Sequence, residues 1–193
     1  MRERENICNY LDMPLQHASD RMLKAMKRQI TRKEMEELIV QIRSMVPGIC
    51  LRTTLITGFP GENMDDVEEL KDFLIQQRFE RVGIFTYSHE ENTGAYSLPD
   101  DVKAEEKQRR AEEIMAVQQK ISFEKNQDKV GKEFKVIIDK KEAGRYIGRT
   151  EFDSVEVDNE VIIQSGNKLI PGTFKQVKIT KAYDYDLEGM IVG

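Results

Sequence analysis

Over the first hundred positions, apolar residues at helical spacing alternate with short β-branched runs. That succession predicts strand-helix units around a parallel sheet. Tyr10 to Gln16 reads as a first strand, closed by Pro14 and Gln16-His17. Ser19 or Asp20 can cap a short helix that carries Met22, Leu23 and Met26 on one side. Thr31 followed three residues later by Glu34 is a capping box, and Met35, Leu38, Ile39, Ile42, Met45 and Val46 then share one stripe up to Pro47-Gly48. Cys50 to Thr57 is the clearest strand, with Thr53, Thr54, Ile56 and Thr57 around Leu51 and Leu55. After the loop Gly58-Phe59-Pro60-Gly61-Glu62, Asn63 with Asp66 caps a helix whose Val67, Leu70, Phe73 and Leu74 face the sheet. Arg81 to Tyr87 supplies a third strand, and Ser88 to Tyr96 a polar loop.

From Asp100 to about Lys125 the pattern predicts a long helix with a sparse apolar face of Ile114, Met115, Val117 and Ile121. Its charge run from Lys103 to Glu113 reads as a solvated face. Beyond Asn126 the period changes from 3.6 to 2, in Glu133 to Ile138, Arg145 to Thr150, Glu160 to Gln164, Thr173 to Lys181 and Asp186 to Val192. Five short strands with turns at Asp158-Asn159, Gly166-Asn167 and Pro171-Gly172 fit a small barrel of the OB type. The expected fold class is α/β plus all-β, with domains at 1–100 and 126–193 joined by a helix over 101–125.

With 39% hydrophobic and 34% charged residues in 193, the chain is too apolar for a disordered protein and too polar to span a membrane. No window approaches the roughly 18 apolar residues of a spanning helix, and no apolar region follows the charged N-terminus as in a signal peptide. The reading is cytoplasmic. Cys8 and Cys50 are the only cysteines, too few for a disulfide framework or a four-thiolate metal site. A net charge of -5 argues weakly against a chain built mainly to grip phosphate backbone.

In parallel α/β architectures, ligands collect beyond the carboxyl ends of the strands. Pro14 to His17, Thr57 to Glu62 and Tyr87 to Glu90 fall there. Gly58 and Gly61 leave backbone open to a flat ligand, or else simply make a tight strand-to-helix turn. His17 and His89 lie just past strand ends, but with no third ligand by spacing they read as structural or hydrogen-bonding groups. No serine sits in a nucleophile-elbow sequence, and Cys8 precedes a strand away from this face.

Tyr10-Leu-Asp-Met-Pro-Leu-Gln-His17, Leu23-Lys-Ala-Met26-Lys-Arg28, Leu51-Arg-Thr-Thr-Leu-Ile-Thr-Gly-Phe-Pro-Gly-Glu62 and Phe85-Thr-Tyr-Ser88 together resemble the radical S-adenosylmethionine methylthiotransferases. The long helix and the terminal barrel, as a TRAM domain, fit as well. The resemblance implies the C-terminal half of a partial TIM-like barrel, about three parallel β-α units, followed by TRAM. It implies S-adenosylmethionine as cofactor and two 4Fe-4S clusters in the full-length enzyme. The cysteine triplets that hold those clusters are absent from this sequence, so a chain of these residues alone is expected to be inactive. Ile56 and Gly58 are put forward as cofactor contacts, with Phe85, Gln16 and Arg28 as further candidates. Thr54 stands where the family's strand motif usually has its first glycine, and Glu62 lies one residue later than the commonest spacing of the acid. An open barrel edge at Tyr10 to Gln16 would favour self-association.

Substrate divides that family. Residues 126–193 contain 11 Lys or Arg and 12 Asp or Glu, a net charge of -1. Glu151, Asp153, Glu156, Asp158 and Glu160 follow Gly148-Arg149-Thr150 as an acidic cluster that repels phosphate and attracts a basic protein. Arg149, Glu156 and Asp158 are therefore the substrate-docking candidates. Tyr146-Ile-Gly-Arg-Thr150 and Glu156-Val-Asp158 resemble the ribosomal-protein branch of that family, and this resemblance implies ribosomal protein twelve of the small subunit as partner, methylthiolated at an aspartate β-carbon, with ribosomal or transfer RNA less favoured. Alternatives are a transfer-RNA methylthiotransferase and a non-catalytic OB-type binding module.

Overall fold

The computed structural model describes residue 1, residues 3–4 and residues 6–192. The chain forms two compact units, Leu11–Gln118 and a second made of Met1–Tyr10 with Gln119–Gly193.

The first unit carries β1 (Tyr10–Asp12, beginning one residue before it), α1 (Asp20–Ala25), α2 (Arg32–Met45), β2 (Cys50–Thr57), α3 (Met64–Gln77), β3 (Arg81–Thr86) and the start of α4 (Ala104–Gln127). The strands form one sheet in the order β1-β2-β3, with β2 and β3 parallel from Arg52 opposite Arg81 to Thr57 opposite Thr86. Along β2, Leu51, Thr53, Leu55 and Thr57 are buried while Arg52, Thr54 and Ile56 are half-exposed, the two-residue period of a sheet with one face covered. Met22, Leu23, Met35, Ile39, Leu70, Phe73 and Leu74 from three helices join Leu51 and Leu55 in the core. The expected capping box of Thr31 with Glu34 is present, and the expected Asn63 cap forms a second full box with Asp66.

Two local expectations are corrected. The first strand stops at Asp12, and Gln16 makes only an isolated parallel bridge with Leu55. Pro14 has no N–H to give a ladder. The Thr53 hydroxyl bridges the gap, donating to the Met13 carbonyl at 2.9 Å and accepting from the Leu15 amide at 3.3 Å. The run from Lys103 to Glu113 is not a wholly solvated face, since Lys107 and Arg110 are only 6% and 7% exposed. Each finds a carboxylate and a carbonyl inside the fold, which offsets the loss of water.

In the second unit, β4 (Glu133–Glu142), β5 (Arg145–Arg149), β6 (Val161–Ile163), β7 (Phe174–Ala182) and β8 (Leu187–Ile191) close a barrel in the order β4-β5-β6-β8-β7. Bulges at Ile138/Lys140 and Ile179/Lys181 interrupt the register, as tight barrel curvature requires. Val136, Ile138, Val161, Ile163, Val177, Ile179 and Leu187 fill the interior at alternating positions. Closure depends on small residues. A Cβ at Gly148 would stand 2.7 Å from Val136 Cγ1, and one at Gly189 would stand 2.9 Å from the Lys178 carbonyl oxygen. The hairpin turn at Ala143-Gly144, both at positive φ, escaped the sequence reading.

Candidate functional site

The carboxyl ends of β2 and β3 and the segment after β1 open onto a cavity of about 840 Å³. Such a volume suits a nucleoside-sized ligand. Gln16, Arg28, Ile56 and Phe85, four of the five cofactor candidates, line it. Register explains the meeting of two of them. Ile56 and Phe85 are direct partners on neighbouring parallel strands, so their side chains rise on the same face. Gln16 adopts φ 75 and accepts the Ile56 amide on its carbonyl at 2.8 Å. Arg28 donates to the Pro14 carbonyl at 2.9 Å, tying the turn after α1 back to the strand-end segment. Phe85 is 58% exposed, an unusual state for a large apolar side chain beside a cavity. Phe59 and Tyr87, not singled out from the sequence, add an aromatic wall with ring centres 5.2 Å apart in an edge-to-face arrangement.

Gly58 does not line the cavity. Its φ is +71, its amide donates to Glu62 Oε1 at 2.9 Å, and the stem of Lys107 fills the space where a side chain would go. The turn and close packing therefore account for this glycine without a ligand.

Behind the loops lies a buried polar network. His17 is fully buried, and its Nδ1 accepts from the amides of Ala18 and Ser19 at 2.9 and 3.0 Å. The ring hydrogen of this tautomer is therefore on Nε2, which stands 3.4 Å from Glu62 Oε2; neither atom has a hydrogen-bond partner among the described residues. Arg110 donates to Glu62 Oε1 at 2.8 Å and to the Glu62 carbonyl at 3.0 Å. Burial opposes the Arg110 charge, but bonds to Glu62 and Glu106 outweigh it and hold the guanidinium protonated above its ordinary value. Hydrogen bonds from Arg109 and Arg110 lower the Glu106 carboxyl to about 2. His17 thus has the structural role expected of it. His89 sits outside this network, 3.2 Å from the Tyr87 hydroxyl and tilted over Tyr96.

On the barrel, the docking candidates separate. Arg149 pairs with Asp139. Asp158 accepts from the Tyr10 hydroxyl at 2.7 Å and the Ser154 amide at 2.9 Å, and buried Asp153 accepts from the Thr150 hydroxyl at 2.6 Å. Glu151 and Glu156 are exposed, Glu156 at φ 61. Part of the acidic cluster therefore builds its own loop.

The cavity's apolar Ile56 and Phe85 with polar Gln16 and Arg28 fit the adenosyl part of adenosylmethionine. Iron-sulfur clusters do not fit these residues, because Cys8 and Cys50 cannot supply three thiolates, and the described residues contain no group of three or more potential metal ligands. No helix among the described residues is long and apolar enough to cross a membrane.

Comparison with known proteins bears on the family of the chain. Residues 2–74 match the radical SAM superfamily and residues 130–192 the TRAM domain. "Ribosomal protein uS12 methylthiotransferase RimO" of Flavobacterium psychrophilum is 52% identical over 98% of this chain and 44% of its own length. The protein of the same name from Cytophaga hutchinsonii is 52% identical over 100% of the chain and 44% of its own length. The chain thus spans less than half the length of these curated relatives. Among solved structures, the radical SAM enzyme coproporphyrinogen III oxidase (HemN) from Escherichia coli covers 58% of this chain and 27% of its own, at 18% identity and a TM-score of 0.49, a likeness that supports no argument about function. Near 50% identity along the whole chain, with both domains in order, shows that it belongs to the radical SAM methylthiotransferase family.

Proposed function

We propose that this chain supplies part of the adenosylmethionine site, and a substrate-docking domain, of a methylthiotransferase acting on an aspartate β-carbon of ribosomal protein uS12. The cofactor supplies radical and methyl chemistry when bound; the chain's own residues supply shape and position. Ile56 and Phe85 offer an apolar surface for a purine. Gln16 and Arg28 bring polar groups to the same wall, and Phe59 with Tyr87 shields it from water. The carrying observation is the convergence of Gln16, Arg28, Ile56 and Phe85 on one cavity at the strand ends. Titrating isotope-labelled chain with adenosylmethionine tests it. Saturable shifts at Ile56 and Phe85 are expected, and shifts confined to the barrel unit would overturn the assignment.

For substrate, the TRAM barrel's net charge of -1 over residues 126–193 favours a basic protein over a phosphate backbone. Exposed Glu156 is the side chain best placed for it, while Asp158 shapes the loop from which it projects and Arg149 pairs with Asp139 on β4. A Glu156→Lys variant is expected to weaken binding to uS12, measured by calorimetry; unchanged affinity would remove Glu156 from the docking surface.

A further inference from the structure

Lys107 enters the first unit from α4 with its side chain 7% exposed. Its ammonium donates to Asp100 at 2.8 Å and to the Tyr87 carbonyl at 3.2 Å, and lies 4.9 Å from the centre of the Tyr87 ring. Its stem occupies the space opened by Gly58, and its own carbonyl accepts from the Thr57 hydroxyl at 3.3 Å. Tyr87 in turn donates its amide to the Thr57 carbonyl at 2.8 Å and packs edge-on against Phe59. One lysine therefore meets the ends of both strands, its stem and carbonyl at β2 and its buried ammonium at the Tyr87 carbonyl just past β3, and the backbone that the ammonium grips carries the aromatic wall of the cavity.

A buried ammonium needs a reason, because burial removes its water and an apolar side chain of the same length would pack at less cost. Asp100 alone would suffice to neutralise it. The bond to a strand-end carbonyl and the matching glycine go further, since together they fix where Tyr87 stands relative to Ile56 and Phe85. We propose that Lys107 is a positioning residue for the cofactor cavity, setting the Tyr87–Phe59 wall against which the adenosyl group rests. This rests on the reading of the cavity as the adenosylmethionine site. Lys107 does not line the cavity and acts only through Tyr87 and the strand ends.

Two substitutions separate the charge from the stem. Lys107→Met keeps an unbranched apolar chain beside Gly58 and removes the donors. Lys107→Arg keeps the three methylenes at Gly58 and restores donors for Asp100 and the Tyr87 carbonyl. Ile39→Val, in the core under α2, serves as a comparison that loosens packing elsewhere. Binding of adenosylmethionine to the labelled 193-residue chain is measured together with the aromatic resonances of Tyr87 and Phe59 in the absence of ligand. Lys107→Met is expected to shift those resonances and weaken binding about tenfold, the scale of losing one charge-assisted bond. Lys107→Arg should restore both readouts, and Ile39→Val should lower the melting temperature with little change in either. Unmoved Tyr87 and Phe59 resonances in Lys107→Met would overturn the proposal whatever the binding. If those resonances move but binding does not weaken, the positioning role is lost too. If the wild-type chain shows no shift at Ile56 with adenosylmethionine, the cofactor reading fails, while the ligand-free resonances still judge whether Lys107 sets the wall.

Discussion

Replacing Gly58 with alanine perturbs two things at once, and the structure allows them to be separated. At φ +71 an L side chain costs roughly 1–2 kcal/mol in backbone strain. The new methyl would also stand 2.9 Å from Lys107 Cβ and Cδ, with Cγ nearer still, and overpacking of this kind typically costs about 1–3 kcal/mol. Lys107 has little room to retreat, since its ammonium is held by Asp100 and Tyr87. The expected loss is therefore about 2–5 kcal/mol. Gly61 is the internal control. Its φ is +80, but the nearest atom to a Cβ there is Arg21 Nη1 at 3.9 Å, so Gly61→Ala should cost only the backbone part, about 1–2 kcal/mol. Hydrogen exchange of β2 amides in a urea series reads the stability of the first unit without mixing in the barrel. Shortening Lys107 to alanine in the Gly58→Ala background should recover part of the loss, giving a coupled pair rather than an additive one. Equal losses for Gly58→Ala and Gly61→Ala, with strict additivity to Lys107→Ala, would refute the account of Gly58 as a packing residue.

Other outcomes follow from the same structure. Burial would raise the Asp66 carboxyl, but the Asn63 amide, the Ser19 hydroxyl and Arg21 outweigh it and hold it below its usual 3.8. Because the folded value is the lower one, the stabilisation is complete above pH ~4 and drains away as pH falls through the folded value. Asp66→Asn should flatten acid unfolding of the first unit below pH ~4, and an unchanged acid limb would count against the assignment. In the barrel, Gly148→Ala should destabilise the second unit by about 1–3 kcal/mol in thermal melts while leaving β2 exchange intact; a neutral effect would mean that the β4–β5 contact yields easily. Transfer-RNA binding in a salt series should be weak and shallow, and a steep loss of strong binding with salt would reverse the proposed choice of substrate.

How much of this was legible beforehand varies by element. Both helix caps, the β-branched run of β2 and the five barrel strands were readable because each signal is local: a cap spans four residues, and a strand declares itself by β-branched residues or a period of two. The end of β1 was overread because Pro14 breaks a ladder whose replacement, the Thr53 hydroxyl, comes from a neighbouring strand. Phe59 and Tyr87 escaped notice as cavity residues because an aromatic in a strand-end loop looks the same in sequence whether it faces a ligand, the core or water.

By itself the sequence determined where the helices and strands lie, the family, the shortage of thiolates and the near-neutral charge of the terminal barrel. It could not decide which polar residues are inside. Lys107 and Arg110 read as a solvated run because helical period reports only position around an axis, whereas burial depends on what the strand-end loops bring to that position. Gly58 reads in sequence as either a ligand contact or a tight turn for the same reason, and in the fold the stem of Lys107 occupies the space beside it. Residues nearly 50 positions apart meet there, and only the folded chain determines which atom each one touches.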